Sequence, residues 1–392
     1  MPGNGRRNWP NREQKLMVMN AIKMVDLQLQ YLRIKEEIDQ AIQEVLNSTA
    51  FIQGPPVTKF AQNLSAYMGG TQVITCANGT DSLQIAMMAL GLVSGDEVIL
   101  PVHTYVATAE VIALLGLTPV FVDVDEHTFT IDVNQIESRI TSKTKAIVPV
   151  HLYGQCADME PIMAIAAKHH LFVIEDAAQA LGAEYTFSDN SVKKGGTIGT
   201  IGTTSFFPSK NLGCFGDGGA VFTNDKSLNE KMKMIANHGQ KVKYHHDLIG
   251  INSRLDTLQA AVLDVKLSYL NEYQQKRNDA ADYYDNELTN ISQIQIPVRA
   301  KNSTHVFHQY TLKVGKRDEL KSYLEGKGIP SMIYYPVPLH FQKAYQQKKY
   351  QGGSFPVTER LSKEVISLPI HTEMEEQELN YICQCIKNFY RG

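Results

Sequence analysis

The chain has 392 residues, 43% of them hydrophobic and 20% charged, with a net charge of −3. At roughly 150 residues per domain, that length allows two to three domains and a large core without disulfides or structural metals. So even a charge balance leaves no electrostatic footprint for nucleic acid. Cys76, Cys156, Cys214, Cys383 and Cys385 are scattered and form no CxxC pair, which excludes a disulfide framework or zinc module and fits a reducing cytoplasm. The most apolar stretch, Val98 to Val124, is interrupted by Pro101, His103, Glu110 and Pro119, so no membrane span is expected.

In chain order, residues 1–23 carry scattered Arg and Lys around a short apolar piece, Leu16–Ile22, that contains Asn20 and lacks a small-residue cleavage site. They are expected to be a poorly ordered extension and not a secretory signal. Helical spacing of Leu29, Leu32, Ile34, Ile38, Ile42 and Leu46 predicts a helix from about Met24 to Leu46. A Gln53–Pro56 turn and a second helix, Val57–Met68, follow. Strands then alternate with helices. The strands expected are Gln72–Cys76, Glu97–Leu100, Pro119–Val124, Ala146–Val150 and Leu171–Glu175, and the helices are Asp81–Leu90, Ala107–Leu115, Val133–Arg139 and Met159–His169. Uninterrupted apolar strands alternating with helices predict an α/β fold with a mainly parallel sheet covered on both faces.

The Gly- and Lys-rich segment Lys193–Gly199 reads as a surface loop. After Phe222 the pattern changes to a helix at Lys226–Asn237 and a long helical stretch from Leu255 to Leu288. Shorter elements then follow, among them a strand at Gln309–Val314 and a helix at Arg317–Lys327. These divide the chain into the extension at 1–23, a large domain at 24–270 and a smaller C-terminal α/β domain at 271–392.

Ligands of open parallel sheets bind beyond the carboxyl ends of the strands. Asn78-Gly79-Thr80-Asp81 lies at such an end, where a glycine and the first amides of a helix make a phosphate cradle or simply a capped turn. Neither GxxxxGK[ST] nor GxGxxG is present there. Asp176 ends the strand before Ala177-Ala178-Gln179; it is either an N-cap or a carboxylate that keeps a heterocyclic nitrogen protonated. Lys210, in Ser205-Phe206-Phe207-Pro208-Ser209-Lys210, precedes the glycine-dense Gly213–Ala220. A lysine in a tight, partly dry site loses basicity and becomes a nucleophile for Schiff-base chemistry. Tyr105, taken singly, reads as core packing. The conjunction suits pyridoxal 5′-phosphate (PLP), which needs a lysine, an acid for its ring nitrogen, phosphate donors and an aromatic plate. His245 and His246 lack a third ligand at helical spacing, so no metal is expected.

Asn78–Leu83 (NGTDSL), Glu175–Gln179 (EDAAQ), Ser205–Lys210 (SFFPSK), Gly213–Ala220 (GCFGDGGA) and Asn252–Ala261 (NSRLDTLQAA) resemble the DegT–StrS sugar-nucleotide aminotransferases. That resemblance runs from Met24 to the C-terminus. It implies a fold-type I enzyme of the aspartate aminotransferase superfamily, with Lys210 bonded to PLP, Asp176 on the pyridinium nitrogen and Gln179 at the ring hydroxyl. It further implies Gly79, Thr80 and Ser205 at the phosphate and Tyr105 stacked on the ring. Asn252 would reach the phosphate of a second subunit, making a homodimer with shared active sites.

A finer resemblance is to aminotransferases acting on UDP-2-acetamido-2-deoxy-3-oxo-glucuronate, carried by Tyr105–Glu110, Leu152–Asp158 and His238–Gln240 with Tyr244–His246. It implies L-glutamate as donor and a nucleotide sugar as acceptor. Arg254 is then either a ligand of the sugar carboxylate or a helix-start ion pair. His308, Tyr310, Tyr335 and His340 resemble substrate-side positions. Residues 1–23 have no counterpart in the family, and Phe187–Gly196 looks extended. Other readings are an aminotransferase for another 3-keto or 4-keto UDP- or dTDP-sugar, and a PLP-binding regulatory protein without catalysis. A sugar dehydratase would carry histidine at position 210, and a nicotinamide enzyme would carry the glycine fingerprint.

Overall fold

The computed structural model describes residues 22–391, so the expectation for residues 1–23 falls almost wholly outside it. At the centre is a seven-stranded sheet. Its spatial order is Gln72–Cys76, Gly219–Thr223, Ile201–Ser205, Phe172–Asp176, Thr144–Ile147, Glu97–Pro101 and Thr118–Val122. Gly219–Thr223 runs antiparallel to both neighbours, and the remaining pairs are parallel. Successive side chains of a strand point to opposite faces, and both faces are buried here. Val98 and Leu100 join one apolar cluster with Leu83, Val111 and Met232, whereas Ile99 joins another with Ile147, Met159 and Ile162. That two-sided burial explains the uninterrupted apolar runs.

Strands Ile201–Ser205 and Gly219–Thr223 were not legible as strands, because IGTTS has a single large apolar side chain and GAVFT runs on directly from the glycine-dense segment that begins at Gly213. The first helical stretch divides at Ile34 into Leu27–Arg33, capped by the Asp26 carboxylate at the amide of Leu29 (2.9 Å), and Lys35–Ser48. The long stretch from Leu255 divides into Thr257–Leu267 and Leu270–Leu288. Ser268 Oγ turns back onto the Val265 carbonyl at 2.7 Å, a local bond that competes with the helical ladder.

Helix Leu270–Leu288 connects two cores. Leu270 packs with Phe60, Leu64 and Phe206, whereas Ala280, Ala281, Tyr284 and Leu288 pack with Tyr310, Leu312, Leu320 and Ile382. The second core covers a three-stranded antiparallel sheet of Ile294–Gln295, Tyr310–Val314 and Val365–Leu368.

The segment Lys193–Gly199 departs from expectation. Val192–Lys194 pairs with Glu184–Thr186 as a hairpin, and the glycines then turn inward. The amides of Gly196, Ile198 and Gly199 donate to the Glu175 carboxylate at 2.8, 2.7 and 2.6 Å. A buried carboxylate without donors is costly, and this loop supplies them. Among the described residues no helix is long and apolar enough to cross a membrane.

Candidate active site

The carboxyl ends of four parallel strands open onto one cavity of about 660 Å³. Strand Gln72–Cys76 leads to Asn78, Gly79 and Thr80, and Glu97–Pro101 leads to Thr104 and Tyr105; Phe172–Asp176 ends in Asp176, and Ile201–Ser205 ends in Ser205 with Lys210 beyond. His308, Gln309, Tyr334 and Tyr335 close it from the C-terminal part of the chain.

At one end, helix Gly79–Ala89 begins. Asn78 Oδ1 takes the amide of Asp81 at 2.8 Å, and the first amides of a helix otherwise lack intrahelical partners. Gly79 is required there by close approach, since a Cβ would stand 2.6 Å from the Cβ of Ser205. The result is a narrow cradle of helix-start amides and the Ser205 hydroxyl, chemistry that suits phosphate.

Lys210 sits in a tight loop, closed by its own amide on the Phe207 carbonyl (2.8 Å) and by that of Cys214 on the Phe206 carbonyl (2.8 Å). Gly213 permits the closure, because a Cβ there would meet the Pro208 carbonyl oxygen at 2.2 Å. Burial pushes the Lys210 ammonium down from 10.5 to about 8, against the attraction of Asp176. Asp176 is 8% exposed, and its Oδ2 accepts from Thr108 Oγ1 at 2.8 Å.

Gln179 Oε1 accepts from the Tyr153 amide at 2.8 Å, and its Nε2 donates to the Tyr335 hydroxyl at 3.1 Å. Tyr105 stands half exposed at the cavity, its ring centroid 6.0 Å from that of Tyr335. Behind them the Tyr153 hydroxyl donates to the Tyr334 carbonyl and accepts from His103 Nε2 at 3.1 Å. Burial holds His103 down to about 4, so this imidazole is neutral. Burial, with Lys210 and Arg277 adding repulsion, also holds His308 well below the usual histidine range.

Thus Gly79, Thr80, Tyr105, Asp176, Gln179, Ser205, Lys210, His308 and Tyr335 are brought to one cavity. Four other expected site residues are not among those lining it. Tyr310 is buried in the second core, donating to Asp285 at 2.7 Å and packed on Tyr284. His340 is buried beside Phe355 with Nε2 3.2 Å from Glu359. Asn252 is exposed, and Arg254 lines a separate cavity of about 750 Å³ with Gln62, Lys233 and Lys241. Thr104, Thr108, Asp217, Gln309 and Tyr334 were not singled out from sequence. Thr108, in the Tyr105–Glu110 motif at the start of an expected helix, and Asp217, in the Gly213–Ala220 motif, carried some signal.

The residues present fit PLP. Two polar atoms of cavity-lining residues, Thr104 Oγ1 and His308 Nδ1, are buried without a hydrogen-bond partner, as befits a site shaped for a polar ligand. A phosphate cradle, a carboxylate and a lysine of lowered basicity share that cavity. Fold and site together are those of a fold-type I PLP-dependent aminotransferase.

Residues 32–387 match the DegT/DnrJ/EryC1/StrS aminotransferase family. The chain belongs to that family. It is 46% identical over 372 residues to a protein of Geobacillus stearothermophilus described as a pleiotropic regulatory protein, covering 94% of this chain and 99% of that one. It is also 46% identical over 367 residues to the UDP-2-acetamido-2-deoxy-3-oxo-D-glucuronate aminotransferase of Pseudomonas aeruginosa, covering 94% and 100%. The crystal structure of S. venezuelae DesV in complex with a ketimine intermediate superposes with a TM-score of 0.91 at 38% identity, covering 95% and 99% of the two chains. A further similar structure, of ntda from Bacillus subtilis, holds the cofactor in its amino form, PMP (34% identity, TM-score 0.84, covering 91% and 82%).

Proposed function

We propose that the protein transfers the amino group of L-glutamate to a keto sugar nucleotide, UDP-2-acetamido-2-deoxy-3-oxo-glucuronate, giving a 3-amino sugar for surface polysaccharide. The likeness to the P. aeruginosa enzyme over nearly the full length of both chains supports this substrate. The observation that carries the chemistry is the meeting of Lys210, Asp176 and the Gly79–Ser205 cradle in one cavity.

Bound PLP supplies the electron-withdrawing ring that draws in the electron pair released at the substrate carbon. Gly79, Thr80 and Ser205 would bind its phosphate, Tyr105 would cover the ring, and Gln179 would contact the ring hydroxyl. Asp176 holds a proton on the ring nitrogen. Lys210 would hold the cofactor covalently, and its Nζ, once displaced by glutamate's amine, would take the proton from glutamate Cα. In the second half-reaction the same Nζ would deliver a proton to the sugar carbon that gains nitrogen. An amine with a pKa of about 8 is partly neutral near pH 7 and suited to both directions. Ping-pong kinetics follow.

The charged residues lining the cavity are Asp81, Asp176, Asp217 and Lys210. With Lys210 committed to the cofactor, a sugar carboxylate needs a cation from elsewhere, and Arg254 of a second copy supplies a planar fork suited to it. A homodimer with shared sites, Asn252 reaching the partner's phosphate, accords with Phe51, Ile52, Phe207, Phe215, Tyr244 and Ile249 all being exposed. Buried free cysteines accord with the cytoplasm. A domain division near residue 270 rests on the two cores that helix Leu270–Leu288 joins.

A glutamate-bleached sample offered a panel of 3-keto and 4-keto UDP- and dTDP-sugars tests the reading. The 3-keto uronate is expected to restore the cofactor colour fastest. Equal rates for neutral and uronate sugars would overturn the carboxylate role of Arg254.

A further inference from the structure

Each carboxylate oxygen of Asp176 has one donor: Oδ2 takes the hydroxyl of Thr108 at 2.8 Å and Oδ1 the amide of Ala178 at 3.2 Å. Thr108 is fully buried, in the first turn of helix Ala107–Leu114 and three residues after Tyr105. A helical threonine commonly turns its hydroxyl back onto the preceding turn. This one donates across to the end of strand Phe172–Asp176. An ionised carboxylate offers about four lone-pair sites, so two donors fix its orientation and leave room for a third partner in the cavity.

We propose that Thr108 is a positioning residue for the transamination, its hydroxyl orienting the Asp176 carboxylate toward the ring nitrogen of PLP. The inference rests on the role of Asp176 given above. A carboxylate free to rotate holds that proton less well. The cost falls on cofactor binding and on proton transfer at the substrate carbon, and spares substrate affinity.

Thr108→Val keeps the shape and removes the hydroxyl, while Thr108→Ser keeps the hydroxyl and removes the methyl. PLP affinity by equilibrium dialysis, the absorbance–pH curve of the bound cofactor and the glutamate half-reaction are measured on each. T108V is expected to bind PLP about tenfold more weakly and to react with glutamate about tenfold more slowly at unchanged KM, as loss of a hydrogen bond to a charged group implies. T108S is expected to restore both and the absorbance–pH curve. If T108V does not fold, Thr108→Ala carries the same contrast. Wild-type PLP affinity and absorbance–pH curve in the hydroxyl-free variant would overturn the proposal, whatever its melting temperature. Wild-type protein that binds no PLP would overturn the reading of Asp176 itself, and this inference with it.

Discussion

Gly79 and Ser205 lie in contact across the start of a helix and the end of a strand, so close that a Cβ on Gly79 would fall 2.6 Å from the Cβ of Ser205. Gly79→Ala therefore pushes the helix start away from Ser205 and opens the phosphate cradle. Such overpacking costs about 1–3 kcal/mol, and if it falls on the cradle it corresponds to roughly 5- to 150-fold in the dissociation constant of PLP. Equilibrium dialysis of the cofactor against the variant measures it.

Lys210 is expected to betray its surroundings by its reactivity. Its amine loses the proton near pH 8, whereas an ordinary lysine does so near 10.5. In PLP-free protein, amine-directed labelling of the peptide containing Lys210 should reach half its maximum rate near pH 8. Exposed lysines such as Lys59 should lag until higher pH. Because the folded chain binds fewer protons at this group than the unfolded chain between about pH 8 and 10.5, its destabilising contribution is fullest below that window and fades as pH rises through it.

Glu175 is a fully buried carboxyl group beside Asp176, held by donors on every side. His151 Nδ1 accepts from the amide of Ala157 (3.1 Å), so its proton lies on Nε2, which donates to Glu175 at 2.8 Å. Three loop amides complete the shell. Glu175→Gln turns an acceptor into a donor facing donors, and is expected to lower stability by about 2–4 kcal/mol in chemical denaturation. An unchanged midpoint would contradict the arrangement.

Sequence exposed the site where chemistry and local geometry coincide. Asp176 ends one expected strand and Gly79 follows another, and the rule for parallel sheets places such ends at one crevice; Lys210 stood out by its glycine-dense surroundings, since the strand before it was not legible. It was less informative where position depends on distant packing. His308 and Tyr310 are two residues apart and would share a face of a regular strand. Yet the strand begins only at Tyr310 and Phe307 takes a φ of 44°, so His308 reaches the cavity while Tyr310 enters the core. The inward turn of Gly195–Gly199 was likewise hidden, because nothing local shows that its amides answer a carboxylate on another strand. Glu175 and Asp176 are adjacent, and the alternation of a strand sends them to opposite faces; only one faces the cavity.

The proposed sharing of active sites between two copies makes a prediction about mixtures. Lys210→Ala and Asn252→Ala homodimers should each be nearly inactive. Mixed and allowed to exchange subunits, they should regain activity, because one site of each heterodimer draws both residues from intact copies. Failure of the mixture, with heterodimers demonstrated by mass, would place Asn252 outside the partner's site.

The most direct test of the whole account is reduction of the PLP-loaded protein with borohydride, followed by digestion and mass mapping of the pyridoxyl label. The label is predicted on the peptide containing Pro208-Ser209-Lys210 and to be lost in Lys210→Ala. A label on any other lysine, or none on freshly loaded protein, would contradict it.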